Sequence, residues 1–172
     1  MRTLVVFESM FGNTERVARV VADEFARLGP VTVLNVDDAP STLDAFDFVV
    51  AGAPTHVFGL SRPQTRADAA TRIEFATVTG RHGLREWLDI VSPASPDCPA
   101  ATFGTRAAMP RVITGCAARA ARRRLHRAGF RMVGKPGDFR VSGALGPLID
   151  GELVRAGAWA RELTDAVAAV GC

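Results

Sequence analysis

Short continuous apolar runs alternate along this chain with longer stretches in which apolar residues recur every three or four positions. The first pattern predicts strands buried on both faces, the second amphipathic helices. Leu4-Val5-Val6-Phe7 marks a first strand over Arg2 to Phe7, and Val17, Val20, Val21 and Phe25 stripe a helix over Thr14 to Leu28 that Gly29-Pro30 stops. Val31 to Val36 predicts a second strand, Ser41 to Phe46 a short helix, and Phe48 to Ala53 a third strand. Helical spacing returns weakly at Gln64 to Ile73 and more clearly at Gly83 to Val91, where Leu84, Trp87, Leu88 and Val91 share a face. Trp87 belongs to that stripe and is expected in the core. Ala100 to Phe103 reads as a fourth strand, and Thr114 to Ala128 as a helix striped by Ala117, Ala121, Leu125 and Ala128. Phe130 to Val133 and Phe139 to Ser142 form a fifth strand region interrupted by Gly134-Lys135-Pro136-Gly137, and Glu152 to Val170 is the last helix. This order predicts one α/β domain over residues 1–172, a doubly wound parallel sheet with helices on both faces. Thr55 to His82 is long for a connection in such a domain, the length expected of a functional lid.

Composition changes this picture little. A hydrophobic content of 48% and a charged content of 23% are those of a soluble globular chain. Met1-Arg2-Thr3 runs straight into the first strand and no apolar run reaches membrane-spanning length, so no membrane partner and a cytoplasmic address are expected. Cys98, Cys116 and Cys172 are widely spaced and form no Cys-x-x-Cys pair, which argues against a disulfide framework or a metal site.

Charge is polarised. The net +3 hides a segment between Asp97 and Asp138 that holds nine of the 21 basic residues and no acidic one, leaving 12 basic against 18 acidic residues elsewhere. Arg119 to Arg131 carries most of that excess. Only Phe130 interleaves as an aromatic and the chain has a single Lys, so nucleic acid is not expected. A solvated helix face is the first reading, and docking of an acidic redox partner the second.

Chemistry concentrates where the first strand meets the first helix. Glu8-Ser9-Met10-Phe11-Gly12-Asn13-Thr14 is rich in hydroxyls, Gly and Asn and runs directly into a helix whose free N–H groups and positive dipole end point back at it. Such a loop binds an anion, most simply a phosphate. Gly12 lets backbone approach the ligand, Asn13 tolerates a tight backbone, and Ser9 and Thr14 supply donors. The loop has no Lys and matches neither Gly-x-x-x-x-Gly-Lys-Ser/Thr nor Gly-x-Gly-x-x-Gly. A phosphate monoester held statically fits this set, and FMN is the first choice.

Ser9-Met10-Phe11-Gly12-Asn13-Thr14 resembles the Ser/Thr-x-Thr-Gly-Asn-Thr phosphate loop of flavodoxins, with Phe11 in place of a hydroxyl residue. The resemblance continues in Gly52-Ala53-Pro54-Thr55-His56-Val57-Phe58-Gly59, in Thr102-Phe103-Gly104-Thr105 and in Gly146-Pro147-Leu148-Ile149-Asp150-Gly151-Glu152, in the expected order. It implies a flavodoxin-like five-stranded sheet of order 2-1-3-4-5 that binds FMN and passes electrons. By the same resemblance Ser9, Met10, Phe11, Gly12, Asn13 and Thr14 hold the phosphate. Pro54, Thr55, His56, Val57, Phe58 and Gly59 flank the isoalloxazine ring with the loop Gly104 to Arg111, of which Gly104, Thr105 and Arg106 are the named contacts. The expected partners are an NAD(P)H-dependent reductase and a redox protein.

The chain departs from that family in two respects. It has no Tyr, and neither Trp falls in a ring loop, which leaves His56 and Phe58 as stackers. Flavodoxins are typically acidic, whereas Arg106 and Arg111 stand near the ring here. One positive charge about 8 Å from the reduced ring, at a dielectric of about 20, is worth roughly 2 kcal/mol or about 90 mV, towards a higher potential. His56, near neutrality in its ordinary pKa, is a candidate proton donor. Two alternatives follow: an FMN-dependent NAD(P)H:quinone-type oxidoreductase, closed by the Thr55 to His82 segment, and a flavodoxin-fold interaction module with weakened flavin binding.

Overall fold

Five parallel ladder positions build the sheet in this computed structural model, which describes residues 1–72 and 77–170, the side chains of residues 111 and 170 excepted. The strands are β1 (Thr3–Phe7), β2 (Val31–Asn35), β3 (Phe48–Pro54), β4 (Pro99–Ala107), β5 (Arg131–Met132) and β6 (Gly137–Val141). Their order is β2-β1-β3-β4-β5, with β6 also paired to β4. β5 lies beside Pro99 and Ala100, and β6 beside Phe103 to Ala107. The two pieces therefore occupy one position, divided at the Gly134-Lys135-Pro136 interruption expected from the sequence.

The helices are α1 (Asn13–Phe25), α2 (Pro63–Ala70), α3 (Leu84–Ile90), α4 (Arg111–Thr114), α5 (Ala117–Arg127) and α6 (Glu152–Val170). Strand alternation sends Val5, Phe7, Phe48 and Val50 into a core with Val17, Val21 and Phe25 of α1 and Ala156, Ala160 and Leu163 of α6. Leu4, Val6, Val49 and Ala51 face Leu84, Trp87 and Leu88 of α3 and Ala117, Ala121 and Leu125 of α5. Trp87 sits in that second core and its indole N–H donates to Pro40 O over 2.8 Å.

Several expectations are corrected. No helix forms over Ser41 to Phe46: Leu43 is fully buried, a turn forms around it, and Thr42 bridges to Ser92. β4 runs on to Ala107, so Gly104, Thr105 and Arg106 are strand residues, not loop residues. Pairing on both sides causes this, with Ala53 and Pro54 of β3 opposite Gly104 and Thr105, and β6 on the other edge. The helix expected from Thr114 is two helices, because Gly115 at φ +76° breaks it. A Cβ there would lie 2.2 Å from Phe58 O, since Phe58 and Gly115 bridge. α2 begins with Pro63 in its first turn, and Ile73, the far end of the helical signal, lies outside the described residues, as does Cys172.

Candidate functional site

β1, β3 and β4 end at the same edge of the sheet, and the loops that leave them enclose a cleft of about 290 Å³. Ser9, Met10, Phe11, Asn13 and Thr14 line it from the first loop, Pro54, Thr55, His56 and Val57 from the second, and Thr105 and Arg106 from β4. Eleven of the 15 residues named from the sequence thus meet across segments far apart in the chain.

The first loop is fixed by neighbours that the sequence did not single out. Ser9 N–H donates to Thr79 Oγ1 over 2.8 Å and Thr79 N–H donates to Ser9 O over 2.8 Å. Asn35 in turn receives the Thr79 hydroxyl proton at 3.2 Å and donates to Val78 O at 2.9 Å. Asn13 donates to Leu145 O, and the Thr14 and Thr105 hydroxyls bond each other at 2.8 Å. Ser9 Oγ differs from all of these. It is 1% exposed by residue and has no hydrogen-bond partner. Gly12, at φ +81° with nothing within 4 Å of where a Cβ would stand, leads into α1, whose first turn no side chain caps. A buried orphan hydroxyl beside uncapped N–H groups is a seat for an oxyanion.

The second loop is a tight turn in which His56 and Gly59 exchange backbone hydrogen bonds of 2.8 Å. Its two central residues, Val57 at φ 27° and Phe58 at φ 69°, occupy the left-handed region that such turns demand. Val57 borders both the cleft and a second cavity on the far side of the turn, whereas Phe58 and Gly59 line only the second. Phe58 is 67% exposed and does not line the cleft. Gly104 also stays out of it, packed in the sheet with Ala118 N and Ala53 O 3.1 Å from where a Cβ would stand. Stacking side chains from the ring loops therefore reduce to His56 and Val57.

Arg106 carries its counter-charge with it. Arg106, 6% exposed, places Nε 3.0 Å from both oxygens of Asp138, and its Nη1 donates to Ala107 O and Met109 O. The expected isolated cation is therefore half of a buried ion pair, and the Arg111 side chain lies outside the described residues. His56 is held below its ordinary pKa, first by burial and then by Arg66, with a smaller push from Arg72, against the Thr65 backbone, which raises it. The shift favours the neutral imidazole, the form that both donates and accepts a hydrogen bond. Thr65, Asp68, Ala69 and Arg72, on and just beyond α2, wall the cleft, as do Val141, Gly143 and Ala144 after β6. Only the length of the Thr55 to His82 connection hinted at the first set; nothing local marked the second. Among the described residues no group of three or more His, Cys, Asp or Glu could hold a metal ion.

Glu8, fully buried one residue before Ser9, accepts the Leu84 N–H at 2.7 Å and ties α3 to the loop. Burial pushes its carboxyl above the usual range, partly opposed by the Ser61 hydroxyl, the Leu84 N–H and Arg66. The neutral acid is the form the fold favours. Its contribution to stability is therefore complete below the ordinary carboxyl pKa and declines as pH rises through the raised value. Glu8→Gln keeps an acceptor for Leu84 and removes the titration. Urea midpoints of variant and wild type are expected to diverge above about pH 5, with the variant the more stable; parallel pH profiles would show that Glu8 ionises at no cost.

A family model described as Flavodoxin matches residues 5–151. No curated protein matches the chain in sequence. Among solved structures it is similar to oxidised Flavodoxin 1 from Bacillus cereus, with a TM-score of 0.68, 21% identity, and 96% of this chain and 98% of that one covered. It is also similar to the flavodoxin of Streptococcus pneumonia TIGR4, with a TM-score of 0.66, 18% identity, and 96% and 99% covered. A flavodoxin, WrbA-like protein from Agrobacterium tumefaciens superposes with a TM-score of 0.61 at 18% identity, with 96% of each chain covered. At these identities the structural likeness is one of fold.

Proposed function

The chain belongs to the flavodoxin family, FMN-binding proteins that transfer electrons to redox partners, and we propose that its FMN sits in the cleft between the loops after β1 and β3 and the end of β4, phosphate at Ser9 to Thr14 and ring between Pro54 to Val57 and Thr105-Arg106. Bound there, FMN would supply one- and two-electron redox chemistry at its isoalloxazine ring. The residues present fit it. The observation that carries this reading is Ser9 Oγ, buried and without a partner beside the uncapped first turn of α1. That hydroxyl and the N–H groups of the turn bind the phosphate, while the Thr14 to Thr105 hydrogen bond and the Thr79 anchor hold the loop in shape before the ligand arrives. Pro54 and Val57 border one side of the ring. His56, half-buried and favoured in its neutral form, offers it a hydrogen bond.

Ser9→Ala tests the assignment. It removes a hydrogen bond to a charged ligand, worth about 1.5–3 kcal/mol, so the FMN dissociation constant is expected to rise roughly ten- to a hundred-fold. The same change deletes an unsatisfied buried group, so the melting temperature of the FMN-free protein should hold or rise. Unchanged FMN affinity would remove Ser9 from the phosphate seat.

A direct NAD(P)H-dependent reductase is the second reading, favoured by α2 and Arg72 standing along the cleft wall. Mixing the FMN-loaded protein anaerobically with NADPH or NADH separates the two. A flavin that stays oxidised supports a carrier loaded by a separate reductase; bleaching by either nucleotide makes the chain an oxidoreductase in its own right.

A further inference from the structure

The Val57-Phe58 turn divides the flavin cleft from a second cavity of about 340 Å³. Arg62, Arg85, Arg123, Arg124 and Arg127 surround it. Among the described ion pairs, only Arg124 of these five meets a carboxylate, that of Asp89. Glu86, which also faces Arg85, is spent on Arg66 at 3.1 Å. Arg85 is fixed in place by donating to Leu60 O and Ser61 O at 2.7 and 2.8 Å. Beside these cations stand large apolar side chains that face solvent, Val57 and Phe58 on the turn and Val112 and Ile113 on α4. The bridge from Phe58 to Gly115 brings the two segments together.

An exposed apolar spot rimmed by charge has the anatomy of a protein interface. We propose that this face docks an acidic redox protein, one that presents an apolar spot within a ring of Asp and Glu. The inference rests on the electron-transfer reading, because docking here brings the partner against the turn that borders the flavin cleft. Charge complementarity decides the polarity: five arginines against two neighbouring carboxylates, Asp89 and Glu86, the second already paired with Arg66, attract an acidic surface and repel a basic one. A small phosphate ligand fits less well. The cavity is walled by the C-terminal half of α5, whose dipole end is negative, and α2 enters with a Pro that lacks an N–H. Nucleic acid is disfavoured because Phe58 is the one aromatic among the residues that line it.

The test follows electron transfer in both directions. A reduced acidic plant-type ferredoxin is mixed with the oxidised FMN-loaded chain. Each ferredoxin cluster gives up one electron and the flavin accepts it, two ferredoxins per fully reduced flavin with protons taken from solvent. In parallel, the reduced chain is mixed with basic ferricytochrome c, each haem iron gaining one electron. The ferredoxin rate constant is expected to fall about ten-fold or more between about 20 and 500 mM NaCl, and that for cytochrome c to hold or rise. The double charge reversal R123E/R127E, at exposed positions, should cut the ferredoxin rate about ten-fold at low salt and leave it unchanged at high salt. R123Q/R127Q should fall between, and Phe58→Ser should slow the reaction at both salt concentrations. A ferredoxin rate indifferent to salt or to R123E/R127E overturns the proposal. So does tighter, equally arginine-dependent binding of 2′,5′-ADP or of a DNA duplex. Calorimetry of ferredoxin with the FMN-free chain reads the same face without any electron. Binding there that R123E/R127E abolishes supports the proposal even if the cleft takes up no FMN, whereas no heat with ferredoxin overturns it and leaves the FMN titration to judge the cofactor site.

Discussion

Gly52→Ala is expected to cost about 3 kcal/mol or more in folding stability, at the upper end of what overpacking does in a filled core. Gly52 lies in β3 between Phe7 and Phe103, and a Cβ on it would fall 2.0 Å from Phe103 Cζ and 2.4 Å from both Cε atoms. The ring cannot retreat. Phe103 is fully buried, with Phe139 and Trp159 at centroid distances of 6.4 and 6.1 Å. Backbone movement is the remaining relief, and it reaches the site directly, because Gly52 O accepts the Glu8 N–H at 2.9 Å at the start of the phosphate loop. FMN affinity should fall together with stability. Urea denaturation of Gly52→Ala, Phe103→Leu and the double variant checks the cause: Phe103→Leu should restore part of the loss, a coupling that a double-mutant cycle measures. A cost below about 1 kcal/mol would mean that the sheet yields at this point.

Asp138→Asn is expected to lose about 3–5 kcal/mol, since it leaves the Arg106 guanidinium buried without its counter-charge. The side chains are 6% and 7% exposed and meet at 3.0 Å, so solvent screens the pair little. Replacing both by Leu should cost much less, because desolvation of the ions then disappears together with their attraction. The variant that folds has a second consequence. Arg106 lines the cleft, and with Asp138 neutral its field is no longer that of a compact ion pair. An unbalanced positive charge at the cleft favours the reduced, negatively charged flavin, so the potential should rise by several tens of millivolts. Spectroelectrochemistry of the FMN-loaded variant reads that shift. In the wild type the pair predicts no such elevation, contrary to what Arg106 suggests as an isolated residue in the sequence.

These two positions show where reading from residues succeeds. Gly52 lay within a stretch recognisable from the sequence, but the reason it must be Gly is a ring contributed by β4. Arg106 was correctly placed at the cleft, yet its charge could not be judged without Asp138, 32 residues away on a strand that follows an interruption. The Ser9 to Thr14 loop was legible as a candidate phosphate seat because its chemistry is local: strand, hydroxyls, Gly, Asn and helix follow one another without a gap. Thr79, 70 residues from Ser9, carries no local mark, and its part in holding the loop depends on the path of the Thr55 to His82 connection. Phe58 was expected over the ring and lines the arginine-lined cavity instead, where its bridge to Gly115 holds it, while Val57 borders both cavities.

By itself the sequence determined the order of the parallel strands and of most helices, the faces they bury, the hydroxyl-, Gly- and Asn-rich loop at the end of β1 and the excess of Arg in one segment, since periodicity and chain neighbours carry these; the absence of a helix over Ser41 to Phe46 and the break at Gly115 depend on packing instead. The tertiary structure alone decided which charges cancel, that the Ser9 hydroxyl is left without a partner, which side chains wall the cleft, and that Arg62 and Arg85 join three arginines of α5 around one exposed apolar spot. Burial and pairing are properties of groups brought together from distant parts of the chain, and the energies that matter at the site, desolvation and Coulomb attraction, depend on those distances rather than on the order of residues.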